Sequence, residues 1–129
     1  MTKGDWMDLT VLERRKYNLL SETLDLSRQL GEAMDRNDDV SLRLVVAMRQ
    51  EPILGLEEVK RAIDNKLERL TPEERERVLE LSGGAVPDGE GETAYFNQAG
   101  SARRLLERVL ELDRRLNRRM AGQDSFYGK

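Results

Sequence analysis

The chain contains neither cysteine nor histidine. That excludes disulfides, thiol nucleophiles, Cys/His zinc sites and imidazole acid–base chemistry, and with it the usual His-based triads. Aromatic residues make up only 5% of the 129 residues, and there are three prolines. The longest apolar run is Leu44–Met48, far short of the roughly 20 residues of a membrane span. The opening MTKGDWMDL has no apolar stretch of the signal-peptide kind, so a soluble, cytoplasmic protein is expected. Charge of one sign is also lacking: the net charge is −3 and the pI about 5.2. This balance excludes a wholly nucleic-acid-binding surface and leaves room for a local basic patch.

What is present is charge and helical periodicity. Charged residues are 36% of the chain and hydrophobic ones 38%. Apolar side chains must then be used as narrow stripes, which suits long helices better than a thick core. From Asp8 to Arg36 a largely apolar stripe runs through Leu9, Leu12, Lys16, Leu19, Thr23, Leu26, Leu30 and Ala33 in alternating steps of three and four, and predicts a first helix. Asn37-Asp38-Asp39 supplies a turn and an N-cap. A second stripe runs through Leu42, Val46, Ile53, Leu56, Ile63, Leu67 and Leu70, and it keeps its phase across Pro52. That phase predicts one helix over 39–70, kinked at Pro52 with Gly55 easing the bend, antiparallel to the first. Thr71-Pro72-Glu73-Glu74 reads as a capping box with proline at the first helical position, opening a short helix over 72–82. The glycine-rich, acidic Gly83–Glu92 is expected to be a flexible loop. A C-terminal helix over 94–121, stopped at Gly122, and a mobile tail over 122–129 complete the chain. The fold class expected is all-α: a single domain, an elongated antiparallel helical hairpin or bundle of three to four helices.

Few residues invite a chemical reading. Asp38-Asp39 and Glu57-Glu58 are better explained as a cap and as surface than as metal or acid–base pairs, and helix-bundle carboxylate sites require histidine. The Gly83–Glu92 segment lacks the lysine of a phosphate-binding loop. No metal, no cofactor and no catalysis are expected. The last helix carries Arg103, Arg104, Arg108, Arg114, Arg115, Arg118 and Arg119. Its plainest reading is a solvated helix face, since Glu107 and Glu111 stand four residues from Arg103 and Arg115. An acidic protein partner comes next. Nucleic acid comes last, because no aromatics interleave for base stacking. The apolar stripe of this helix reads first as core, and alternatively as anchors shared with a partner helix. Met120, Phe126 and Tyr127 would add adaptable contacts.

Two stretches together resemble a known family: NLLSETLDLSRQLGEAMDRNDD, Asn18 to Asp39, and AMRQEPILGLEEV, Ala47 to Val59. A leucine-rich helix, an acidic turn and an RQ-x-x-I-x-x-L helix, here Arg49-Gln50, Ile53 and Leu56, resemble the FlgN-type flagellar export chaperones and their FliT-type relatives. ELDRRLNRRM, Glu111 to Met120, looks like that family's last long helix. The resemblance implies a small all-α chaperone that binds helical C-terminal segments of hook-associated or filament-type proteins. It would keep them unpolymerised and deliver them to the export apparatus. It implies that partners bind the last helix, at Leu105, Leu106, Val109, Leu112, Leu116 and Met120, with Arg108 and Arg115 on the basic flank steering acidic cargo. The alternatives from the residues alone are a self-associating coiled-coil adaptor, hence a homodimer, and a small nucleic-acid-binding regulator.

Overall fold

The computed structural model describes the backbone of residues 1–127 and the side chains of 1–122. It is 88% helical, with no strand among the described residues. The elements are α1 (Lys3–Asp35), α2 (Asp39–Met48), α3 (Gln50–Glu68), α4 (Pro72–Ser82) and α5 (Gly89–Tyr127). The chain is the all-α bundle that its periodicity predicts.

α1 begins at Lys3 rather than Asp8. Thr2 caps it, its hydroxyl accepting from the Asp5 N–H at 3.1 Å while Asp5 accepts from the Thr2 N–H at 2.9 Å. This reciprocal box satisfies two orphan donors, so the helix extends to 33 residues, about 50 Å. Buried residues on α1 come in adjacent pairs, Thr23-Leu24, Leu26-Ser27 and Ala33-Met34. Adjacent positions point about 100° apart, so α1 is covered on two sides.

α2 and α3 are one helix bent by 21° at residue 49. The cause is Pro52, three residues further on. It cannot donate to the Met48 carbonyl, and its ring crowds that group. Hydrogen bonding resumes at once, with the Ile53 N–H on the Arg49 carbonyl at 3.3 Å. The kink therefore sits one turn before the proline. Gly55 lies beyond it and instead lets Leu19 pack close to the backbone. The bent helix runs antiparallel to α1, as Lys66–Asp5, Arg15–Glu58 and the packing of Val45 against Leu30 show. Its last helical residue is Glu68 rather than Leu70.

α4 opens with the capping box that its sequence predicts: Thr71 Oγ1 accepts from the Glu74 N–H and Glu74 from the Thr71 N–H. It closes the base of the bundle, where Trp6, Leu9, Leu70, Val78, Leu81 and Tyr95 form one cluster. α5 starts at Gly89, which takes up the second half of the expected loop. Glu92 fixes this start, receiving the Asp88 N–H at 3.1 Å and the Arg77 guanidinium at 2.5 Å. α3 has already brought the chain to the base, where Lys66 meets Asp5, and α5 starts from that same end, so it runs parallel to α1: Trp6 meets Tyr95, Ser27 meets Asp113, and Asp35 meets Arg119. α5 continues through Gly122 to Tyr127, so the expected stop at Gly122 and most of the expected tail are replaced by helix. Gly128 and Lys129 of that tail, and the Phe126 and Tyr127 side chains, lie outside the described residues.

The base also makes a pH prediction. Lys66 Nζ stands 2.8 Å from Asp5. That ammonium, with the Thr2 N–H, lowers the Asp5 carboxyl from 3.8 to about 2. A carboxyl depressed by folding contributes stability that is complete above its unfolded value and lost as pH falls through its folded one. Wild type should therefore melt above Asp5→Asn near neutrality, with the gap closing between about pH 4 and about pH 2. A constant gap over that window would mean the Asp5 charge does not matter.

Candidate functional site

α1 is the central helix. It packs along α2 and α3 on one side and along α5 on the other, while α3 and α5 approach each other much less. The stripe of α5 is largely consumed in this arrangement. Leu105 and Val109 are buried against Leu20 and Leu24, and Leu116 against Leu26, Leu30, Met34 and Val45. Leu112 and Met120 are half-buried beside them. Of the apolar residues singled out for partner binding, Leu106 alone is exposed, and Leu110 joins it one turn on. Arg108 and Arg115 are exposed.

A polar contact crosses the bundle at the kink. The Arg49 guanidinium donates to both Asp113 carboxylate oxygens, at 3.0 and 3.1 Å, and Ser27 Oγ donates to Asp113 at 3.2 Å. The RQ arginine of the second helix is thus a link to α5 and not a surface residue.

A concave surface lies along the seam of α1 and α5, on the side away from α3. Its basal part is a groove of about 360 Å³ lined by Met7, Val11 and Ala94 over the edge of Trp6. Gly91 sets its depth: a Cβ there would lie 2.9 Å from Trp6 Cδ1, so only glycine lets α5 sit this close to the indole. Thr10 places no polar demand on the groove, since its hydroxyl donates to the Trp6 carbonyl at 2.7 Å. Further along the seam, Tyr17, Ser101, Arg104 and Arg108 line a second hollow. Such a surface can hold a helix by apolar contact and charge.

Sequence reasoning missed Met7, Val11, Arg14 and Gly91. The signal was there, because Thr2-x-x-Asp5 is a capping box that starts the helix early enough to give Met7 and Val11 a common face. Glu13 is likewise buried, paired with Lys16 at 3.1 Å. Tyr95 is held above its ordinary value by burial, opposed by its hydrogen bond to Ser82. Among the described residues no three acidic side chains converge as a metal site, and no helix is long and apolar enough to cross a membrane. No protein-family model, curated protein or solved structure matches the chain.

Proposed function

We propose that the chain is a non-catalytic helix-binding protein, an export chaperone that shields a helical segment of a hook-associated or filament-type protein. The observation that supports this reading is the open seam of α1 and α5, where the large apolar side chains Met7 and Val11 remain 59% and 56% exposed beside a groove. Amphipathic helices dock in such grooves through anchors one turn apart. The FlgN-type pattern in the sequence supplies the class of cargo. The test is calorimetric titration with the C-terminal helical segments of the hook-associated and filament proteins encoded in the same genome. One of them should bind one to one and lose its tendency to polymerise. Failure of every segment to bind would end the flagellar reading.

One observation favours a second reading. Val40, Leu44 and Met48 stand at four-residue spacing on α2, 80%, 60% and 47% exposed. This stripe suits self-association as an adaptor. Sedimentation would then give twice the 14.9 kDa of one chain, and Leu44→Asp would restore the monomer.

A further inference from the structure

The net charge of the chain is negative, yet the seam of α1 and α5 is basic. Lys3 and Arg14 border its apolar basal groove, and Arg104 and Arg108 border the hollow further along. Only one carboxylate, Glu90, lines either part. Among the described residues none of these four cations has a carboxylate within ion-pairing distance: Arg14 reaches only Gln98 at 3.5 Å, and Arg104 only Ser101 at 3.3 Å. Elsewhere on the bundle Arg15, Arg49, Lys66, Arg77 and Arg119 sit in salt bridges, while other exposed arginines such as Arg43, Arg61 and Arg115 face solvent. What sets the seam apart is that its unpaired cations border a concave surface, end to end with exposed apolar side chains.

Resting on the helix-binding reading above, we propose that this seam takes an amphipathic helix of a partner protein, apolar at one end and acidic at the other. The apolar end sits on Met7, Val11 and Ala94, and its Asp or Glu residues face Arg14, Arg104 and Arg108. The length follows from the geometry. From Gly91 to Arg108 along α5 is about 26 Å at 1.5 Å per residue, so the occupant has about 17 residues, four to five turns. Charge selects the partner and speeds its arrival, and apolar burial holds it. A basic or nucleic-acid ligand is disfavoured by the Met7 and Val11 end, which offers phosphates nothing.

The chain has a built-in reporter, because Trp6 is its single tryptophan and forms the groove floor. The probe is a synthetic 17-residue amphipathic helix with leucines at one end and glutamates at the other. Two controls replace the glutamates with glutamine or lysine. The glutamate peptide should change Trp6 emission saturably. It should bind about tenfold more tightly than the glutamine peptide, with the advantage shrinking as salt rises. The double variant Arg104→Glu/Arg108→Glu, on the exposed surface, should lose that tenfold and bind the lysine peptide instead. Val11→Asp should weaken every peptide. Equal binding of all three peptides, or binding unaffected by the double variant, overturns the proposal. If the glutamate peptide binds but is released by Leu44→Asp and not by Val11→Asp, helix binding survives and this site falls. If no peptide binds, both fall.

Discussion

Leu116→Asp is expected to destabilise the protein by about 4 kcal/mol, or to strip the distal part of α5 from the bundle. Leu116 is 3% exposed and lies against Leu26, Leu30, Met34 and Val45. It also fits the gap at Gly31, where a Cβ would come within 3.4 Å of its Cδ2. Truncating a leucine so placed costs about 2–5 kcal/mol, and an aspartate adds the desolvation of a carboxylate with no partner in the cluster. Leu110→Asp on the same helix is the control: Leu110 is 48% exposed, and its replacement should stay within about 0.5 kcal/mol. Urea unfolding of the two variants separates the cases. If Leu116→Asp unfolds like wild type, α5 is not docked in solution and its stripe is free for a partner. If it unfolds as expected, loss of partner binding in that variant says nothing about a binding site. Tests of binding then belong at Val11, Arg104 and Arg108.

This distinction explains which parts of the molecule were legible. Helix type and number follow from period and caps. The alternating steps of α1 and the unbroken phase across Pro52 gave two helices correctly, and Thr71-Pro72-Glu73-Glu74 gave a third. The kink was readable as well, though its position at Arg49 needs the geometry of the carbonyl four residues before the proline. What a single stripe cannot say is which helix covers it. Leu105, Val109 and Leu116 look the same in sequence whether they meet α1 or a foreign helix. The choice is made by the topology: α3 ends at the base, α4 packs there against Trp6 and Tyr95, and α5 starts from that end and lies parallel to α1 along its length. Gly91 shows the same limit. A glycine in an acidic, glycine-rich segment reads as loop, and only its contact with Trp6 reveals it as a place where α5 sits tight against the indole. The basic seam was half visible. The arginines of α5 were plain, but their counterpart Arg14 on α1 gained a role only once α5 was seen to lie beside it, and Met7 joins Val11 only when the helix is started at Lys3.

Asp113→Ala is expected to cost about 2–3 kcal/mol, more than its half-exposed position suggests. Asp113 stands on α5 level with the bend and receives three hydrogen bonds, two from Arg49 and one from Ser27. Ser27 is fully buried, and Arg49 Nε is buried with no partner even in the intact protein. Removing the carboxylate therefore takes the partner from a buried hydroxyl and from a part-buried guanidinium whose Nε is already unpaired. That penalty follows from breaking one side of a pair, and it is larger than the net worth of the pair itself. The double variant Asp113→Ala/Arg49→Met should recover part of the loss, because a flexible apolar side chain fills the space without the orphaned charge. The same cycle asks what the kink is for. The bend at residue 49 begins where Arg49 reaches across to α5, so the proline-imposed break and the polar link occupy one level of the bundle. Protection of the α2 and α3 amides from hydrogen exchange reads this directly. If the link holds the bend against α5, protection in Asp113→Ala falls around Arg49 before it falls at Val59, deep in the α1 interface. Uniform protection, with stability within about 0.5 kcal/mol of wild type, would reduce the three hydrogen bonds to an incidental contact.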